Sequence, residues 1–227
     1  MIAENIALLK EQIPHGVELV AVSKLKPTTD IEEAYAAGQR DFGENYATEL
    51  RDKHAVLPDD VRWHFIGHLQ SKQLKYYVPY VTMIHGVDTV QHLLDVDAVA
   101  AKAGRRVDVL LQVHVAREET KFGFDAAELA ALEKQWDALH GSVQHVRVRG
   151  VMGMASHTDD LGLVRSDFGR LRAIFDRLKG GLMADAEAFD VVSMGMSHDW
   201  RIAVDEGSTM VRIGTAIFGD RPPRVAL

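Results

Sequence analysis

The chain has 227 residues, of which 47% are hydrophobic, and it carries a formal net charge of -7 and no cysteine. That size and apolar content suffice to bury one large core, so a single domain spanning residues 1–227 is the expected organisation. Disulfides and thiolate metal sites are excluded, and the interspersed charges with an acidic excess offer no basic face to a nucleic-acid backbone or an anionic membrane.

Residues 1–13 mix Glu4, Lys10 and Glu11 with apolar residues at helical spacing, unlike a signal or transit peptide. No apolar stretch approaches the roughly 20 residues that span a bilayer. A soluble, cytoplasmic, monomeric protein is expected. Short β-rich runs then alternate with longer amphipathic stretches. The first strand is expected at 19–23, followed by a helix over 30–37, where Thr29 is placed to cap, Glu32 to reach back and Gly38 to end the helix. A strand at 41–43 precedes a helix at 46–56, and a strand at 63–66 precedes a helix at 71–77. Strands at 83–86, 107–115, 146–151 and 191–194 follow, each with its own helix, at 90–103, 126–139, 164–178 and 198–206. The run 210–213 is the eighth strand.

Strict alternation with short links forces parallel pairing through right-handed crossovers. Eight units average about 28 residues, near the spacing of a (β/α)8 TIM barrel of about 250 residues. An open doubly wound sheet is the competing α/β fold. The count of eight favours the barrel, as does the lack of a G-x-G-x-x-G run after the first strand.

Two distant segments carry the chemistry. Lys24 ends the apolar run Val20-Ala21-Val22-Ser23 at the carboxyl end of the first strand, where barrels place their active sites. Partial desolvation lowers the pKa of an amine there, and Lys26 adds like charge, so Schiff-base chemistry becomes accessible. Pro27 keeps the preceding chain extended. A snorkelling lysine at a strand end is the plainer alternative.

The second segment runs from Gly207 to Gly219. Arg212 lies in an otherwise apolar strand, and a buried guanidinium needs an acceptor or an aromatic face. Gly214 and Thr215 follow at the strand's carboxyl end, where backbone N–H groups and a hydroxyl suit phosphate oxygens. The seventh strand leads into Gly195-Met196-Ser197-His198, with Ser197 placed to cap the next helix and strengthen an anion site. Phosphate sites after strands seven and eight recur in barrels. An aldehyde that carries a phosphate suits both segments; two ordinary glycine turns are the alternative for the second.

Asn45, after the second strand, either hydrogen-bonds a cofactor or caps the next helix. His64 lies inside the third strand, facing away from Trp63 and Phe65, as a site residue or as a satisfied interior histidine. Lys121 follows the fifth strand as a second rim amine or a solvated loop lysine. The eleven histidines have no metal-ligand spacing, and no G-x-S-x-G or P-loop run is present.

Six blocks resemble one family closely, in the family's order and over nearly the whole chain. They are Ala21-Val22-Ser23-Lys24 with Pro27, Phe42-Gly43-Glu44-Asn45-Tyr46, Trp63-His64-Phe65-Ile66-Gly67-His68-Leu69-Gln70, Gly150-Val151-Met152-Gly153-Met154, Ser193-Met194-Gly195-Met196-Ser197 and the Gly207–Gly219 segment. The family is that of the pyridoxal phosphate homeostasis proteins. The resemblance implies a barrel similar to the alanine racemase N-terminal domain, with pyridoxal 5'-phosphate (PLP) joined as a Schiff base to Lys24. It further implies phosphate contacts from Ser197, Gly214 and Thr215, and Arg212 at the pyridine nitrogen. An arginine there weakens the electron sink that a carbanion needs, so binding without substantial turnover is implied, with PLP-dependent apo-enzymes as recipients. The chain departs from the family pattern at Ser71-Lys72-Gln73, which follows Gln70, and at His114, where the family commonly has asparagine. A PLP-dependent racemase is the alternative, although such enzymes add a second domain and a tyrosine base that this chain, ending soon after Gly219, is expected to lack.

Overall fold

The computed structural model describes residues 1–118, 122–186 and 188–220. Eight parallel strands close into a barrel in chain order, each hydrogen-bonded to the next and the eighth to the first. They are β1 (Glu18–Val22), β2 (Asp41–Glu44), β3 (Arg62–Phe65), β4 (Met83–Val87), β5 (Val107–Gln112), β6 (Val146–Met152), β7 (Val191–Ser193) and β8 (Met210–Ile213). Register Val20↔Arg212 and Ala21↔Ile213 sets β1 beside β8, which brings the two chemistry-bearing segments together.

The outer layer consists of α1 (Ile2–Gln12), α2 (Thr28–Ala36), α3 (Ala47–His54), a 3-10 helix (Ser71–Tyr76), α4 (Val90–Lys102), α5 (Ala126–His140), α6 (Leu161–Gly180), α7 (Trp200–Asp205) and α8 (Thr215–Phe218). Where strands are buried on both faces, as over most of β1 and β5, their residues are mainly apolar, as parallel sheets require. One core lies between sheet and helices and includes Phe42, Trp63, Phe65, Tyr77 and Phe168, with Phe65 stacked on Tyr77. A second cluster, Val20, Met83, Leu110, Met152, Val191 and Met210, is made by strand residues alone. The amino-terminal mouth is closed by ion pairs, in which Arg147 and Arg149 both donate to Asp108 and Arg62 donates to Asp41.

Several boundaries differ from the sequence expectation. Helix α2 begins at Thr28 with Pro27 as its N-cap residue, so Thr29 falls inside the first turn and α2 has no side-chain cap bond. Its end is as read: Gly38 takes φ +84°, and its N–H donates to Tyr35 O. Strand β5 stops at Gln112 rather than Val115, because the chain folds back and His114 N–H bonds Phe124 O instead of a barrel neighbour. The helix expected over 71–77 is 3-10, and the one over 198–206 shortens to α7. The helical spacing at the N-terminus forms α1, tied to α8 by Asn5 Nδ2 donating to Ile217 O at 3.0 Å. The helix α8 was not anticipated.

Candidate functional site

The carboxyl mouth gathers the ends of β1, β2, β7 and β8. Lys24 sits two residues beyond β1, in a turn, and is half-buried. The turn is unusual, for Leu25 adopts φ +62°, a conformation disfavoured for residues with a Cβ. Its N–H donates to Glu49 Oε1 at 2.6 Å, and Lys26 N–H donates to Ser23 O at 3.1 Å. Lys26 directs its ammonium to the carbonyls of Phe218 and Asp220, 2.8 Å each, and so secures the end of α8.

Behind Lys24 lies a buried polar group that the sequence did not reveal. Ser23 Oγ donates to Glu44 Oε1 at 2.6 Å, and Lys53 Nζ donates to the same oxygen at 2.8 Å, to Ser23 O at 2.8 Å and to Glu49 Oε1 at 2.7 Å. Glu44 Oε2 is buried with no partner among the described residues. Burial raises the Glu44 pKa to about 7, against the opposing pull of Lys53 and the Ser23 hydroxyl. The only signal was Glu44 at the end of an apolar strand; Lys53 looks like a surface residue of a polar helix.

Asn45 follows β2. It is not the N-cap residue of α3, a place taken by Tyr46 without a side-chain capping bond. Its Oδ1 is buried without a hydrogen-bond partner among the described residues. Gly67 packs against its backbone so closely that a Cβ there would lie 2.2 Å from Asn45 O.

On the opposite side of β1, Ser197 corrects the sequence expectation. The N-cap residue of α7 is Asp199, whose carboxylate accepts Met196 N–H at 2.6 Å. The Ser197 hydroxyl instead accepts from the backbone N–H groups of Gly214 (3.3 Å) and Ala216 (3.4 Å), at the start of α8. Thr215 is the first residue of that helix. Gly195 shapes the approach: it has φ +95°, and a Cβ would meet Ala203 Cβ at 2.6 Å and Trp200 Cα at 2.9 Å. Two N–H groups at the start of α8 therefore converge on one hydroxyl oxygen.

Arg212 is buried and has the acceptors that its position demanded. It donates through Nη1 to Ser193 Oγ at 2.6 Å and through Nη2 to Gly153 O at 3.2 Å. Burial lowers its pKa to about 10, which leaves the guanidinium charged at neutral pH. His64 is not brought to this mouth. It lies within the barrel, with Nδ1 3.0 Å from His85 Nε2 and Nε2 3.1 Å from Asp41 Oδ1. His114 places Nε2 2.9 Å from Glu118 O, whereas Lys121 lies outside the described residues. No cluster of metal-ligating side chains occurs among the described residues.

These groups fit PLP: a lysine for the aldehyde, a cradle for the phosphate, a donor for the ring nitrogen, and the unpaired buried Asn45 amide oxygen for a polar ring substituent.

Comparison with known proteins agrees. The family model described as alanine racemase, N-terminal domain, matches residues 1–222. A pyridoxal phosphate homeostasis protein of Pseudomonas aeruginosa is 38% identical over 97% of this chain and 96% of its own length. PipY of Synechococcus elongatus superposes with a TM-score of 0.89 at 38% identity, covering 96% of this chain and 100% of that chain. Its PLP-bound form superposes at 0.86, with 37% identity and the same coverage. Alanine racemase of Bartonella henselae shares the fold alone, with a TM-score of 0.70 at 19% identity over 97% of this chain and 59% of that enzyme. The chain therefore belongs to the pyridoxal phosphate homeostasis protein family, on the barrel fold of the alanine racemase N-terminal domain.

Proposed function

We propose that this chain binds PLP at the carboxyl mouth of its barrel and acts in the homeostasis of that cofactor, holding and releasing it without substantial amino-acid turnover. The observation that carries the reading is the pairing of β1, two residues before Lys24, with β8, which holds Arg212 and leads into Gly214, whose N–H meets the Ser197 hydroxyl from the turn after β7. PLP supplies an aldehyde that condenses reversibly with an amine. Lys24 is that amine. Ser197, Gly214 and Thr215 would hold the phosphate, Arg212 would donate to the ring nitrogen, and Asn45 would take a polar substituent of the ring. His64, engaged at both nitrogens inside the barrel and away from this mouth, is not among the groups that would hold the cofactor.

Arg212 favours binding over catalysis in this reading. It stays charged at neutral pH and offers only donors, so the ring nitrogen accepts a hydrogen bond without being protonated. The electron sink is then weak. Racemisation needs proton carriers on both faces of the substrate as well, and a weak sink lowers its rate. We propose further that the barrel is one domain sufficient for this role, that the protein is a cytoplasmic monomer, and that PLP-dependent apo-enzymes receive the cofactor.

The test is to load the protein with PLP, desalt it, record its visible absorbance, reduce with borohydride and map the peptides. A new visible band and a pyridoxyl group on Lys24 are expected. Absence of a band would favour a barrel that holds another phosphorylated metabolite non-covalently, and modification chiefly at Lys26, Lys72 or Lys121 would overturn the lysine assignment.

A further inference from the structure

A file of polar side chains runs through the barrel interior from one mouth towards the other. Arg212 on β8, Ser193 on β7, His85 on β4 and His64 on β3 are each at most 4% exposed. Arg212 Nη1 lies 2.6 Å from Ser193 Oγ, which lies 3.2 Å from His85 Nδ1. His85 Nε2 lies 3.0 Å from His64 Nδ1, and His64 Nε2 lies 3.1 Å from Asp41 Oδ1. Strands β4 and β7 are not neighbours, so the Ser193–His85 contact crosses the lumen.

The two ends fix the direction of the file. Arg212 only donates, and an ionised Asp41 only accepts. Burial works against the Asp41 carboxylate, but hydrogen bonds from His64 and Arg62 outweigh it and hold its pKa down to about 2. Three bonds lie between Ser193 and Asp41, and with both imidazoles neutral three protons serve them. Ser193 donates to His85 Nδ1, His85 Nε2–H to His64 Nδ1, and His64 Nε2–H to Asp41. Burial, with the Arg212 charge acting in the same direction, lowers the His85 pKa well below its ordinary value, in keeping with a neutral ring. A proton on His85 Nδ1 would instead face Ser193 Oγ, already the acceptor for Arg212. His64 would then have to donate from both nitrogens as a second buried cation, at high desolvation cost.

We infer that His85 is a positioning residue for Arg212: through Ser193 it orients the guanidinium, and its own tautomer is set by His64 and by Asp41 at the far mouth. The consequence for the cofactor rests on the Arg212 role proposed above; the proton arrangement does not.

The first measurement uses cofactor-free protein labelled at histidine, near pH 8, above the ordinary histidine pKa of about 6.5. Long-range 1H–15N NMR is expected to show His64 and His85 neutral and protonated on Nε2; a proton on His85 Nδ1 overturns the inference. The second follows exchange of the Arg212 guanidinium protons in the same cofactor-free state. His85→Leu is expected to accelerate it by about tenfold, the scale of one lost buried hydrogen bond. His85→Gln, whose amide accepts and donates in the same sense, is expected to restore most of the protection. Unchanged exchange in folded His85→Leu overturns the inference, and if that variant fails to fold, the wild-type tautomers decide. A third measurement uses PLP labelled with 15N in its ring. Arg212→Leu is expected to shift the ring-nitrogen resonance; no shift would refute the placement of Arg212 against the ring, while the two cofactor-free measurements still decide the relay.

Discussion

Glu44 sets a pH dependence that can be worked through at a single residue. Its pKa rises from an ordinary 4.5 to about 7 in the folded chain, chiefly by burial. Between those values the folded state binds more protons than the unfolded state, so stability falls as pH rises. The contribution is fully present below about pH 4.5 and lost above about pH 7, and it amounts to up to about 3 kcal/mol. Glu44→Gln removes the titration, so its melting temperature is expected to gain on wild type as pH climbs through that window. A constant difference between the two proteins would show that Glu44 is ionised throughout. The sequence made Lys24, Arg212 and Gly214 readable as candidates because each stands out against an apolar strand or ends one. It did not reveal the Glu44–Lys53 pair or the Ser193–His85 contact. These join residues 9 and 108 positions apart, and the latter crosses the barrel lumen.

The short helix α8 and the turn after β7 are the elements that bear on phosphate. If the N–H groups of Gly214 and Ala216 and the Ser197 hydroxyl meet its oxygens, charge-assisted hydrogen bonds of about 1.5 to 3 kcal/mol each are at stake. Pyridoxal lacking the phosphate is then expected to bind at least about tenfold more weakly than PLP in equilibrium titration. Equal affinities would remove the basis for this cradle. Gly195→Ala tests the turn itself. It places a Cβ within 2.6 Å of Ala203 Cβ in a backbone with φ +95°, and a loss of about 1 to 3 kcal/mol in denaturant unfolding is expected. At this scale, periodicity located the strands and the seven longer helices among the described residues to within a few residues, but not their N-caps. Pro27 shifted the start of α2, and Asp199, without a side-chain capping bond, is the N-cap residue where Ser197 was expected. The four-residue α8 is too short to show a helical period, so only its glycines were conspicuous.

Closure of eight parallel strands is the property of the whole molecule that brings β1 beside β8, although almost the entire chain separates them. The alternation of short apolar runs with amphipathic stretches made that closure readable, because parallel strands need crossovers and eight such units match a barrel. The same closure bears on turnover. It presents Arg212 from inside the wall, anchored to Ser193 and Gly153, as a group that remains a charged donor at neutral pH. A ring nitrogen meeting such a donor stays unprotonated, and abstraction of a substrate α-proton is then poorly supported. Incubation of the PLP-loaded protein with a panel of amino acids in deuterated water, followed by NMR of the α-position, measures this directly. Exchange well below about 1 per second, the low end for ordinary enzymes, is expected for every amino acid. Exchange at or above that rate would overturn the holding-and-release role and favour the racemase reading. In that event, Arg212→Glu, which replaces the donor by an acceptor for a protonated ring nitrogen, is expected to raise the rate further if the electron sink is limiting.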